Sequence, residues 1–177
     1  MGNTTSSGKA SGGRARWGMC LLLAVASATL LLAQSAPMGA FEKIKSLTGE
    51  WTGKMSGGMA ATSTFRVTAG GSAVMQMLGE GTDMEMPTLF HMDGERLMAT
   101  HYCAAKNQPR MVFVPAGSDG NTLKFDFLDV TNLRNPEDGH MRRVAFTFID
   151  KDHFRQEWTY REKGKESADS FDFVRKR

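Results

Sequence analysis

From Trp51 onward the apolar residues of this chain alternate with polar ones, and turn-forming residues interrupt the alternation every eight to twelve positions. A period of two is the signature of a strand whose side chains point to opposite faces of a sheet. Ten such runs are predicted: Trp51 to Met55, Thr62 to Thr68, Ser72 to Leu78, Met86 to Met92, Glu95 to Cys103, Arg110 to Pro115, Thr122 to Val130, Met141 to Ile149, His153 to Arg161 and Ser167 to Arg175. Gly70-Gly71 and Asp93-Gly94 read as two-residue hairpin turns, because these residues tolerate positive φ. Thr131 to Gly139 is a longer polar loop. Nothing resembles a βαβ crossover, so neighbouring strands are expected to run antiparallel. A closed barrel hides the strand edges that an open meander would leave bare. Ahead of the strands, Pro37 to Leu47 carries Phe41, Ile44 and Leu47 at a spacing of three. One apolar stripe on so short a helix needs a surface to pack on, such as a barrel end. The expected fold is therefore all-β, an antiparallel meander barrel of about ten strands with a short N-terminal capping helix.

The first residues are expected to be an export signal and not part of the fold. Residues 1–18 are polar, with Lys9, Arg14 and Arg16 and no acidic residue, and Met19 to Ala33 is an apolar or small-residue run. That run is long for a signal core and short for a bilayer span of ~20 residues. Ala33-Gln34-Ser35 supplies the small residues of a cleavage site, whereas cleavage after Ala36 would leave Pro37 as the first residue after the cut. The expected organisation is a signal peptide over 1–35 and a barrel domain over 36–177, secreted or periplasmic, with an uncleaved membrane anchor as the alternative. Removing the signal changes the charge. Of 22 basic residues three precede Ala36, and of 19 acidic residues none does, which leaves 19 of each. A balanced chain has no general electrostatic attraction to nucleic acid, and none to a membrane surface once the signal is gone. Of the two cysteines, Cys20 falls in the signal and Cys103 in the barrel. No internal disulfide is then expected, so packing alone must hold the domain.

Strand parity gives an interior. Val144, Phe146 and Phe148 share a face, as do Phe154, Gln156, Trp158 and Tyr160, opposite Arg155, Glu157 and Arg161. Phe125 and Phe127 oppose Lys124 and Asp126, and Phe171 and Phe173 oppose Asp172. These apolar faces should turn inward. They enclose either a small-molecule cavity with a few polar points or a solid core with a satisfied Gln156; parity alone leaves both open.

A short helix leading into Gly49-Glu50-Trp51, followed by a strand ladder with a basic residue on its last strand, resembles the calycin superfamily of lipocalins, fatty-acid-binding proteins and nitrobindin-like barrels. Within it the chain looks like a family of uncharacterised exported bacterial proteins. The resemblance rests on Phe90-His91-Met92-Asp93-Gly94-Glu95-Arg96-Leu97, Thr100-His101-Tyr102-Cys103-Ala104-Ala105, Asn107-Gln108-Pro109-Arg110-Met111 and Gln156-Glu157-Trp158, and covers residues 41–175. In lipocalins the tryptophan packs across the barrel end against a basic side chain of the last strand. The resemblance thus implies structural roles for Gly49, Trp51 and Arg175. Nitrobindin-like barrels bind haem through a histidine, which makes haem the candidate cofactor and His101 its candidate ligand. The resemblance brings no activity with it.

The remaining chemistry is sparse. His101 shares a face with Leu97, Ala99 and Cys103, so its neutral imidazole is expected inside, as a ligand-binding group or as a hydrogen-bonded structural histidine. His101 and Cys103 stand ~7 Å apart along a strand, too far for a direct thiolate–imidazole pair. Methionine is abundant, with Met75-Gln76-Met77 and Met84-Glu85-Met86; packing or the lining of a loose apolar pocket is favoured over copper binding. Residues 104–109 form the best surface candidate, where Asn107, Gln108 and Arg110 gather donors and acceptors beside His101. No catalytic residue and no metal site is predicted. The leading expectation is an exported barrel that binds a small apolar ligand in an aromatic and Met-lined cavity, through His101, Arg110, Gln156, Trp158, Tyr160, Phe146 and Phe148. The alternatives are a haem or metal barrel with redox or isomerase-type activity using His101, and a protein-interaction barrel of the cell envelope.

Overall fold

The computed structural model describes residues 1–3 and 36–177; the expected export signal lies outside the described residues except for its first three. A helix, α1 (residues 36–45), is followed by β1 (Gly49–Met55), β2 (Ala60–Thr68), β3 (Ala73–Leu78), β4 (Met86–Asp93), β5 (Arg96–His101), β6 (Gln108–Phe113), β7 (Thr122–Thr131), β8 (His140–Asp150), β9 (His153–Glu162) and β10 (Lys165–Arg175). Each strand pairs antiparallel with its neighbour in sequence, and β10 returns to β1 to close a ten-stranded barrel. The all-β barrel and its capping helix are as the alternation predicts. Among the described residues no helix is long and apolar enough to cross a membrane.

The differences from the predicted boundaries have local causes. The Gly70-Gly71 link is a 3-10 turn over Ala69–Gly71, not a two-residue hairpin, with Ala69 already at φ 51°. Asp93 remains in β4, so the next link is Gly94-Glu95, with Gly94 at φ 59°. Helix α1 stops two residues before Leu47, because the Leu47 and Thr48 amides donate to Ile44 and Lys45 and wind the chain into a tighter turn. That turn frees the Leu47 carbonyl to accept a hydrogen bond from Trp51 Nε1 at 2.7 Å.

This bond belongs to the stopper of one barrel end. Phe41, Ile44 and Leu47 are buried there as the spacing predicts, each contributing about 1.5–3 kcal/mol of burial. The Arg175 guanidinium lies 4.1 Å over the Trp51 ring. It also donates to the carbonyls of Thr48 (2.7 Å), Ser46 (3.1 Å) and Lys151 (3.2 Å). One side chain thus ties the turn after α1 to the β8–β9 link and the last strand to the first. Gly49 sits at φ 130°, and a Cβ there would stand 2.9 Å from Arg175 Nη1. The glycine of Gly49-Glu50-Trp51 is therefore required both for its backbone angle and to leave room for the arginine.

Above this stopper the barrel is solid. Phe65, Phe90, Phe125, Phe146, Phe154 and Phe173 are all at most 1% exposed. Their rings meet mostly edge to face at 5.6 to 6.4 Å, the spacing aromatic quadrupoles favour. Val144, Phe146, Phe154, Gln156, Trp158, Phe125 and Phe173 face inward as parity predicts, while Phe127, Phe148, Tyr160 and Phe171 are half-buried. Arg175→Ala should lower the unfolding free energy by about 2–3 kcal/mol, through the lost cation–π contact and the carbonyls left without donors. Arg175→Lys should restore less than half of that, since an ammonium cannot span three carbonyls while lying flat on an indole. Urea unfolding of the three proteins checks both.

Candidate ligand site at the barrel mouth

The alternation of the inward faces places a polar layer on top of the aromatic one. On β3 the inward series is Val74, Gln76, Leu78; on β4 it is Phe90, Thr88, Met86; on β9 it is Phe154, Gln156, Trp158. The register sets Gln76 beside Thr88 and Thr88 beside His101. Gln76 and Gln156 meet across the interior in a reciprocal amide pair, at 2.8 and 3.0 Å, and Gln76 Nε2 also donates to Ser63 Oγ at 3.0 Å. Ser63, Gln76, Thr88, His101 and Gln156 are all at most 1% exposed.

Beyond that layer lies a cavity of about 400 Å³ that opens at the end away from α1. Its wall is flexible and apolar: Met55, Leu78, Met84, Met86 and Met141. Trp158 and His101 form its inner part, with ring centroids 4.5 Å apart. Tyr160, Phe171 and Asp169 stand toward the rim with the Cys103–Ala105 turn. The two readings of the interior left open by parity each describe one half of the barrel: the stoppered half is solid and the other half is hollow.

Two polar atoms in this region have no partner. His101 Nε2 and Trp158 Nε1 are buried and make no hydrogen bond. His101 Nδ1 lies 2.9 Å from Thr88 Oγ1, the one hydrogen bond of that hydroxyl. The proton assignment follows from counting donors. With the proton on Nδ1, the Thr88 hydroxyl hydrogen and the Nε2 lone pair would both be left buried and unpaired. With the Thr88 hydroxyl donating to Nδ1, only the Nε2 proton is unpaired. The network therefore assigns an Nε2–H imidazole. Burial, with no compensating carboxylate, pushes the His101 pKa down to about 4, so the ring is neutral at physiological pH.

The structure brings His101, Trp158 and Tyr160 together at the cavity and places Gln156 in the layer beneath. Tyr160 reaches its position because residue 139 is glycine: a Cβ there would stand 1.6 Å from the Tyr160 hydroxyl. The other expected ligand residues lie elsewhere. Phe146 is fully buried in the aromatic half. Phe148 lies at the α1 end, with Lys43 Nζ 4.7 Å from its ring centre. Arg110 points outward and holds Asp129 through two side-chain bonds, Nε donating at 2.6 Å and Nη2 at 2.5 Å. The polar groups expected to gather on residues 104–109 do not converge on the cavity: Asn107 Nδ2 donates to the Gly139 carbonyl while its Oδ1 is buried without a partner, and Gln108 Oε1 accepts from Thr131. Met75 and Met77 flank the buried Gln76 from the opposite face, whereas Met84 and Met86 line the cavity. Gln76, Thr88 and Ser63 are the site residues the sequence reading passed over.

Nucleophilic chemistry finds no support here. Burial pushes the Cys103 thiol pKa up, and the His101 nitrogen that would serve as a base is held by Thr88. Among the described residues no cluster of three His, Cys, Asp or Glu stands ready for a metal ion.

Fold and site together define a stoppered, ten-stranded antiparallel barrel with an apolar mouth, an architecture consistent with calycin-like barrels. Two solved structures resemble it. One is a protein of unknown function from the DUF3598 family of Nostoc punctiforme, with a TM-score of 0.51 and 16% identity over 75% of this chain. This chain spans about half of that one, 48% of its length. The other is Rv2717c of M. tuberculosis, with a TM-score of 0.52 and 12% identity, covering 78% of this chain and 98% of that one. At these identities the likeness is one of fold. No family model matches the chain, and no curated protein matches it in sequence.

The buried imidazole makes stability depend on pH in a defined window. The His101 pKa lies near 4 in the folded protein, below its ordinary value of 6.5, so between these values the unfolded chain holds a proton that the folded one lacks. Stability should therefore fall as pH drops from 6.5 toward 4, by roughly 3 kcal/mol from this group. His101→Gln should flatten that window, as read by urea unfolding at pH 7.5, 5.5 and 4.5.

Proposed function

We propose that this protein is an exported binding barrel that holds a small, mainly apolar molecule in its mouth. One observation carries the reading: half of the barrel is packed solid and stoppered, while the other half keeps an apolar cavity of about 400 Å³. A cavity of that size suits a single small ligand, and its methionines can repack around different shapes. Affinity would come from burial of the ligand's apolar surface, with His101, Trp158 and Tyr160 supplying orientation. Export rests on the basic, then apolar, N-terminal segment and the Ala33-Gln34-Ser35 site, with residues 36–177 as the working domain.

Haem held by His101 is the reading the residues fit less well. An iron ligand needs a bare Nε2, and the Thr88 bond places the proton there. Among the described residues no Lys or Arg lines the cavity to meet propionates, and Asp169 stands at it.

Native mass spectrometry of the protein purified from its own host should show a small-molecule adduct below ~500 Da that heat or solvent removes. The stripped protein should bind the neutral probe N-phenyl-1-naphthylamine with a blue-shifted rise in fluorescence. Met86→Trp, which fills the cavity, should weaken the probe at least about tenfold while far-UV circular dichroism stays unchanged. An adduct-free protein that binds no apolar probe would contradict the reading, and a Soret band on haemin addition that His101→Gln abolishes would favour the haem alternative.

A further inference from the structure

We propose that the ligand of this cavity carries a neutral hydrogen-bond acceptor, a carbonyl oxygen of the ketone, ester or quinone kind, at its inner end, and that His101 Nε2–H and Trp158 Nε1–H receive it. This rests on the mouth being a ligand site, as proposed above, and adds the ligand's chemistry.

The two groups are unusual for one reason. Buried polar atoms in folded proteins are almost always paired, and here two of the four unpaired side-chain atoms among the described residues sit on neighbouring rings at the cavity. Both are donors. An indole nitrogen can only donate, and the Thr88 hydroxyl, by donating to His101 Nδ1, leaves the other imidazole nitrogen as N–H. A ligand hydroxyl or amine would bring a proton of its own with no acceptor waiting. A carbonyl oxygen brings two lone pairs, one for each ring. It satisfies both orphaned donors and adds no new one.

The surroundings decide the charge. A carboxylate would also accept from both rings, but among the described residues no Lys or Arg lines the cavity, and Asp169 contributes a negative side chain at it. Burying an anion without a cation costs several times what burying a carbonyl does. A cation has no buried carboxylate to meet, since Asp169 is outside the polar layer, with Oδ1 accepting from Ser56. The methionine wall fits the same description: a flexible, weakly polar surface for the apolar remainder of the molecule.

Three probes of nearly equal size separate the possibilities: 2-acetylnaphthalene, a neutral ketone; 2-ethylnaphthalene, which lacks the acceptor; and 2-naphthoate, an anion. Binding is measured by calorimetry on the purified full-length protein stripped of adducts. The ketone should bind about tenfold or more tightly than the hydrocarbon, the worth of pairing buried donors, and more tightly than the naphthoate. Its carbonyl stretch, isolated by carbon-13 labelling, should shift to lower frequency when bound. Trp158→Phe and His101→Phe should each reduce the ratio of ketone to hydrocarbon affinity toward one, whatever they do to apolar binding itself. If either variant fails to fold, the carbonyl shift in the unmodified protein still decides. Equal affinity of ketone and hydrocarbon with an unshifted carbonyl would overturn this inference while leaving an apolar site intact. Tightest binding of the naphthoate would overturn it in favour of an anionic ligand. Failure of all three to bind would remove the mouth as a ligand site altogether.

Discussion

The organisation of the interior depends on two glutamine side chains meeting in the middle of the barrel. Gln76 and Gln156 come from strands on different sides of the interior and exchange two amide hydrogen bonds. Gln76 spends its second N–H on Ser63. With each amide nitrogen and oxygen bonded in this way, the pair costs little to bury; separated, each would leave groups unmatched at about 1–3 kcal/mol apiece. That requirement fixes the height at which β3 and β9 face each other. It also marks where the aromatic packing stops, because rings on one side of a flat amide pair cannot interdigitate with residues on the other. The six buried phenylalanines lie on one side, and the cavity, with His101 and Trp158 at its inner end, lies on the other.

The two ends then take opposite roles. A basic residue lying on an indole and capping three carbonyls fastens the end where β10 meets β1 and the helix arrives. Among the described residues nothing comparable crosses the mouth, where the strands end in short turns and in methionine. A barrel closed by hydrogen bonds all round has no edges to protect, so it can keep one end soft without inviting aggregation. Precision sits in the strand frame and adaptability in the methionines.

Much of this was legible in the residues, and the reasons differ by element. The ten strands and the inward faces of β8 and β9 followed from period two, which burial on one face enforces residue by residue. The Trp51–Arg175 stopper followed from resemblance, and Gly49 explains why the motif begins with glycine. Gln76 carried a readable signal that was missed: a polar residue on the inward series between Val74 and Leu78, like Gln156 between Phe154 and Trp158. Thr88 was hidden for a different reason, since threonine suits any strand and only the register beside His101 gives it a task. Arg110 illustrates the opposite limit. Nearness in sequence to His101 suggested a shared site, but the partner that decides its place, Asp129, lies 19 residues away next to a shift in register between β6 and β7. Whether the interior was solid or hollow depended on side-chain volumes summed across the barrel, which no single strand reports.

The barrel holds one tryptophan at each end, and that allows one measurement to test the account. In a nitrogen-15 spectrum of the protein, the Trp51 indole N–H, already bonded to the Leu47 carbonyl, and the Trp158 indole N–H, bonded to nothing, give separate signals. Titration with 2-acetylnaphthalene should move the Trp158 indole proton downfield as it gains an acceptor, and leave the Trp51 signal in place. A shift at Trp51 with Trp158 unmoved, or no shift at either, would contradict a ligand site at the mouth.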